Sequence, residues 1–182
     1  LFVVTSRPLP VSFDPGKDLK TLGFLAFLWR YAEEESKPLA VASPFDFLLA
    51  EPIQGDLPHL VAVQSESFFD PRSLYPGIRD NVLAEFDRLR MDAVAHGKLK
   101  VPAWGANTVR TEFAFLTGIS EDRMGVHRFN PYRAVAGGWG LPSLAKYLKR
   151  LGYRTICIHP YPASFYQRDR VYPWLGFDEF LD

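Results

Sequence analysis

The sequence predicts an α/β domain with a mostly parallel sheet flanked by helices, and three observations carry that prediction. The apolar run Leu60-Val61-Ala62-Val63 reads as a strand buried on both faces. A second apolar run, Thr155 to His159, follows a helical stretch closed by Gly152. Between the two, segments with helical apolar spacing alternate with short strand-like ones, the order produced when helices cross over between parallel strands.

From the N-terminus, Lys17 to Glu35 carries Leu22, Leu25, Trp29 and Ala32 at helical spacing, widened by Phe24, Phe27, Leu28 and Tyr31. This spacing predicts one amphipathic helix packed on the rest of the domain. Between Ser36 and Pro58, four prolines (Pro38, Pro44, Pro52 and Pro58) interrupt every possible element, because proline lacks the amide donor and restricts the residue before it. The stretch reads as a connector, with a boundary near Gly55 that separates a connecting segment, 1–55, from a folded unit, 56–182. Past the first strand, Val82, Phe86 and Leu89 predict a helix over 78–90, and Leu99 to Val101 a short strand. Residues 112–118 read as a helix with Gly118 just past its end, and Pro142 suits the first turn of a helix with Leu144, Ala145, Leu148 and Leu151 facing inward.

Composition removes several function classes. The chain has 182 residues, 47% hydrophobic and 23% charged, which excludes disordered, collagenous and coiled-coil proteins. Its 21 Lys+Arg balance 21 Asp+Glu and are spread along the chain, so nothing offers a basic footprint to nucleic acid. Cys157 stands alone in an apolar run and reads as a small buried hydrophobe; no disulfide forms within the chain. The uncharged run Thr21 to Trp29 falls short of the roughly 20 apolar residues that a membrane span needs. Leu1 at the start and the abrupt end after Phe177 to Asp182 suggest a piece of a longer protein.

In a parallel sheet, ligands bind beyond the carboxyl ends of the strands. Three segments occupy such places. In the first, Gln64 to Asp70, the carboxylates of Glu66 and Asp70 leave a rigid strand end and suit a divalent cation, although a helix cap or loop role fits Glu66 as well. In the second, Trp104 to Phe113, a small-residue turn delivers Thr108 and Thr111 to the start of a helix, where the dipole favours an anion or an ionised alkoxide. Either threonine could be a nucleophile or merely the N-cap, with Glu112 near a capping-box position. In the third, His159 to Arg170, Arg168 can fork onto two phosphate oxygens beside an apolar wall of Phe165 and Tyr166, or form an ion pair with Asp169 or Asp178.

Taken in order, these segments resemble the sulfatase-like branch of the alkaline phosphatase superfamily that contains lipoteichoic acid synthases and phosphoglycerol transferases. The likeness runs from about Leu60 to Asp182, the N-terminal part of the family's catalytic domain. The family's strand followed by Glu-Ser-Phe is matched by Val63-Gln64-Ser65-Glu66-Ser67-Phe68, and its Thr-x-x-x-Glu-Phe turn by Thr108 to Phe113. Its Leu-Gly-Tyr, strand, His and Phe-aromatic-x-Arg-Asp series is matched by Leu151-Gly152-Tyr153, His159 and Phe165-Tyr166-Gln167-Arg168-Asp169.

The resemblance implies a truncated α/β catalytic domain in which Glu66 and Thr108 are metal ligands and Thr108 is the nucleophile. It further implies that Arg168 binds the substrate phosphate, with Tyr166 and His159 beside it. The implied cofactor is a divalent metal, Mn²⁺ foremost, with Mg²⁺ or Zn²⁺ as alternatives, and an Asp-His pair and a further His completing the site downstream of Asp182. The implied reaction moves a phosphoglycerol head group from a lipid such as phosphatidylglycerol to a glycan or polymer acceptor. It takes place on the extracytoplasmic side of a bacterial membrane, with the anchoring spans outside this segment. A phosphoethanolamine transferase or phosphohydrolase would use the same threonine. Sulfate-ester hydrolysis is disfavoured, since Asn107-Thr108-Val109-Arg110 lacks the Cys or Ser that formylglycine formation needs. A non-catalytic polysaccharide-binding or assembly module is the reading from another class.

Overall fold

The computed structural model describes residues 9–38, 40–49, 51–65, 67–103 and 107–182. The single helix expected over 17–35 is two. Helix α1 (Pro15–Leu22) begins at Asp14, whose carboxylate accepts from the Lys17 amide, and α2 (Phe24–Glu35) follows Gly23, where a φ of 75° turns the chain. Polar anchors decide which face of α2 turns inward. Buried Asp18 accepts from the Ser12 and Phe13 amides and from the Tyr31 hydroxyl, and Arg30 donates through Nε to the Leu9 carbonyl at 2.9 Å. The apolar stripe therefore stays outside, with Leu25 80% and Trp29 73% exposed, contrary to the packing its spacing predicts.

Among its described residues the proline-rich connector is irregular except for one 3-10 turn, Pro44–Asp46, closed by a reciprocal cap between Ser43 and Asp46. The buried Ser43 hydroxyl donates to the Thr117 carbonyl at 2.6 Å, which ties the connector to the end of α4 (Thr108–Thr117). Gly118 ends that helix in the left-handed region, and a β-carbon there would stand 2.8 Å from Pro44 Cδ. Both the backbone conformation and the proline ring resist a side chain. Gly118→Ala is expected to cost at least about 1–2 kcal/mol, read as a lower midpoint in urea unfolding.

Two expected strands do not form. Leu60 to Val63 is irregular, with Val61 and Val63 85% and 86% exposed, and Leu99 to Val101 is irregular as well. An apolar run becomes a strand only when a neighbour takes up its backbone N–H and C=O groups, and among the described residues the sheet offers these runs none. The helix expected over 78–90 appears as a 3-10 turn, Asp80–Leu83, leading into α3 (Ala84–Asp92). Arg72 fastens it by bridging Asp70 and Asp87.

The ordered core lies further on. Helix α5 (Pro131–Ala136) packs on α4, and α6 (Leu144–Arg150) starts at Ser143, whose hydroxyl accepts from the Lys146 amide and donates to the Leu175 carbonyl. Pro142 thus precedes the cap instead of occupying the first turn. Gly152, with φ 104°, makes the expected left-handed stop. Strand β1 (Ile156–Ile158), helix α7 (Arg168–Leu175) and strand β2 (Glu179–Leu181) form a β-α-β unit with parallel strands, Cys157 opposite Phe180. Val109, Phe113 and Leu116 of α4 meet Tyr132 and Val135 of α5 and Val171 and Leu175 of α7 in one apolar cluster.

Beside this core, His127 is buried with its ring edge against Trp139, and its Nε2 has no hydrogen-bond partner among the described residues. Burial holds its pKa below the ordinary value, against the opposing pull of the Lys37 backbone and the Glu35 charge. The unfolded chain therefore binds a proton there more readily than the folded one. The His127 contribution to stability is fully present above about pH 6.5 and is lost as pH falls through the lower folded value. His127→Gln is expected to flatten that part of the stability profile in urea titrations between pH 7 and 5.

Candidate functional site

Helix α4 begins at Thr108. Neither threonine is its N-cap: that position belongs to Asn107, which holds φ 73° and makes no capping bond, its side-chain amide donating instead to the Phe129 carbonyl at 2.9 Å. A half-buried Thr108 hydroxyl results, with no hydrogen-bond partner among the described residues. Glu112 follows four residues later, on the same helix face, with its β-carbon about 5–6 Å from that of Thr108. It plays no capping part.

Instead Glu112 is a buried hub. Its Oε1 accepts from Arg168 Nη2 at 2.5 Å, and its Oε2 accepts from Arg168 Nε at 3.2 Å, from the Tyr132 hydroxyl at 2.7 Å and from the Tyr172 hydroxyl at 3.0 Å. Burial alone would raise the pKa of the carboxyl; the guanidinium and the two phenols outweigh it and hold it below the usual glutamate value. One carboxylate thereby joins α4, α5 and α7.

The sequence predicts Arg168 in a loop folded back over the sheet, where it can clamp a phosphate or pair with Asp169 or Asp178. The structure corrects its placement, on a helix and not in a loop, and its ion-pair partner, which is Glu112. Arg168 is the first residue of α7, 1% exposed, forked onto Glu112, with Nη1 donating to the Phe165 carbonyl at 3.2 Å and its Cζ 5.4 Å from the centre of the Tyr166 ring. Asp169 is exposed, and Asp178 is taken up by Lys149 and Thr155. Tyr166 does stand beside the arginine as expected. His159 lies just past β1, its ring stacked on Phe180 at 6.5 Å and its Nδ1 3.4 Å from the Tyr161 carbonyl.

The backbone marks the same two places. Non-glycine residues with positive φ among the described residues are Phe13, Asn107, Tyr166 and Gln167. Three of them stand immediately before Thr108 or Arg168. Such conformations cost free energy and persist where the surrounding structure over-determines them, commonly at functional sites. Tyr132 and Tyr172 are not among the site residues expected from the sequence. A signal existed for Tyr172, since Arg168 and Tyr172, like Thr108 and Glu112, stand four apart and so share one helix face.

Glu66 and Trp104-Gly105-Ala106 lie outside the described residues, so the Glu66 expectation has no geometry here. Asp70 is not available as a ligand in the way its strand-end position suggests: it caps the turn Pro71–Ser73 and pairs with Arg72. Burial pushes the Cys157 thiol up to about 11, which favours its protonated form at neutral pH.

The sequence model of the sulfatase family matches residues 58–182. The chain belongs to the sulfatase family. Among curated proteins, this sulfatase-family chain is 40% identical over 124 residues to the capsular polysaccharide biosynthesis protein RkpI of Rhizobium meliloti, a match covering 68% of the chain and 22% of RkpI. It is 28% identical over 186 residues to a second protein of that organism, named for cyclic beta-1,2-glucan modification, covering 96% of the chain and 28% of that protein. The chain thus spans about a quarter of the length of these relatives. No solved structure matches it.

Members of the sulfatase family typically use a divalent metal. Among the described residues, no group of three or more His, Cys, Asp or Glu side chains lies close enough to hold one. The Thr108 oxygen is the one donor expected from the sequence that the described residues present. They do not by themselves make a metal site.

Proposed function

We propose that this chain carries the nucleophile of a transferase that moves a phosphoglycerol head group from a membrane lipid onto an envelope glycan, on the extracytoplasmic side of a bacterial membrane. The observation that carries the reading is the Thr108 hydroxyl, at the first position of α4 behind left-handed Asn107, without a hydrogen-bond partner among the described residues and one helical turn from the Glu112–Arg168 pair. Such a hydroxyl, set at a helix start and not taken up in capping, suits a nucleophile. The glycan acceptor is supported by the relatives, one named for capsular polysaccharide biosynthesis and the other for glucan modification.

The chemistry balances in two steps. Thr108 Oγ forms a bond to phosphorus as the bond from phosphorus to the diacylglycerol oxygen breaks, and the proton lost from Thr108 ends on that leaving oxygen. An acceptor hydroxyl then bonds to phosphorus, the bond to Thr108 Oγ breaks, and a proton returns to Thr108. The proposal includes Mn²⁺, with Glu66 and Thr108 contributing oxygens. A bound divalent ion would favour the alkoxide and offset charge on the phosphoryl group.

Incubating the full-length protein with phosphatidylglycerol, glycan and Mn²⁺, in parallel with phosphatidylethanolamine, tests the reading by mass spectrometry of glycan and lipid products. Glycerophosphate on the glycan with diacylglycerol released is the expected result. Transfer only from phosphatidylethanolamine, release of a phosphoester into water, or glycan binding without covalent change would each replace it.

A further inference from the structure

We infer that Glu112 is a positioning residue: its buried carboxylate sets the plane of the Arg168 guanidinium beside the helical turn that presents Thr108, so that Arg168 meets a phosphoester in one orientation. The inference rests on the transferase reading above. It starts from an arrangement that stability alone does not explain. A buried ion pair repays the desolvation of its charges only with good geometry and further hydrogen bonds, and apolar residues of similar volume often do as well. Here four donors converge on one carboxylate from two other helices, which suits fixing an orientation better than adding cohesion.

The geometry divides the guanidinium in two. Glu112 holds the edge formed by Nε and Nη2, and the Tyr132 and Tyr172 hydroxyls on Oε2 keep the carboxylate from rotating. Nη1, the nitrogen Glu112 does not hold, carries two hydrogens and gives one to the Phe165 carbonyl. Its other hydrogen and the second hydrogen of Nη2 are the two of the five that Glu112 and Phe165 do not take, and the proposal assigns them to a phosphoester oxygen. At 1% exposure, Arg168 cannot reach out for a ligand with a swinging side chain. In this proposal the ligand comes to it beside α4, the helix that also carries Thr108. The left-handed pair Tyr166 and Gln167, with φ 57° and 59°, delivers the arginine to that spot.

The experiment uses the full-length protein, with inorganic phosphate as the binding probe by calorimetry and phosphatidylglycerol as the kinetic probe. Glu112→Gln is expected to weaken phosphate binding about tenfold and raise KM for the lipid by a similar factor, with kcat per folded molecule changing less. Tyr172→Phe, which keeps the ion pair and removes one of the carboxylate's anchors, should shift both in the same direction by a smaller factor. It also serves if Glu112→Gln fails to fold. A purely structural role would lower folded yield and melting temperature while leaving the phosphate Kd of the folded fraction within twofold of wild type, and that result overturns the inference. So does a wild-type protein that binds no phosphate. A wild type that binds phosphate and is weakened by Glu112→Gln, yet moves no phosphoester, defeats the transferase reading and leaves the positioning role standing.

Discussion

Thr108→Ala is expected to abolish head-group transfer by the full-length protein, by roughly 10³-fold or more, while the melting temperature stays close to wild type. The two halves of that expectation have separate causes. The Thr108 hydroxyl has no hydrogen bond to lose among the described residues, and alanine is the better helix former at an ordinary helical position, so folding has little to forfeit. Transfer by contrast loses the atom to which phosphorus would bond. Thr111→Ala makes the control, since Thr111 lies one turn inside α4 and should retain activity. Trapping a phosphoester adduct by mass spectrometry should locate it on the tryptic peptide containing Thr108. Equal loss in both alanine variants, or an adduct on Thr111, would move the nucleophile.

Arg168→Met carries the largest expected effect on stability. It leaves the Glu112 carboxylate buried with two phenols and no cation, and removing one partner of a buried pair typically costs about 3–5 kcal/mol. The pH dependence gives an internal check. In the wild type the Glu112 pKa lies below its unfolded value, so the stability it contributes is fully present above about pH 4.5 and is lost as pH falls through the folded value. Without Arg168, burial dominates and the folded pKa rises above the unfolded one. The variant then gains relative stability as pH falls toward 4.5, because the protonated carboxyl is the form the site prefers. Urea unfolding of the full-length protein at pH 7 and pH 4.5 reads this as a gap between the two proteins that narrows with acid. A gap that stays constant would mean Glu112 does not depend on Arg168 for its ionisation.

The parts legible in the sequence are those written in local chemistry. Gly118 and Gly152 stop their helices where expected, because a left-handed φ is cheap for glycine and the signal is a single residue. The strand within Thr155 to His159 forms because β2 lies alongside it. The family resemblance, carried by three ordered motifs, holds over residues 58–182. Leu60 to Val63 shows the limit: four apolar residues fix a preference for burial but not the neighbour that would supply it. The outward stripe of α2 fails for a related reason, since Asp18 and Arg30 set the inward face through hydrogen bonds that hydrophobic spacing does not encode. The Glu112–Arg168 pair bridges 56 positions, and nothing in the spacing of either residue names the other. Nearby Asp169 looks the better partner on the page of the sequence, yet at the surface of α7 it is aimed the wrong way.

Tyr166 and Gln167 hold consecutive left-handed conformations, a state costing roughly 1–2 kcal/mol for each residue that has a β-carbon. Directed evolution would feel this as a conflict. A library selected for heat resistance should enrich glycine or asparagine at these two positions, since either relieves the backbone, whereas one selected for turnover should retain Tyr166, whose ring covers the guanidinium. The expected outcome is that durability and rate trade against each other in this segment, with survivors of the two selections diverging at residues 166 and 167 before they diverge in the core.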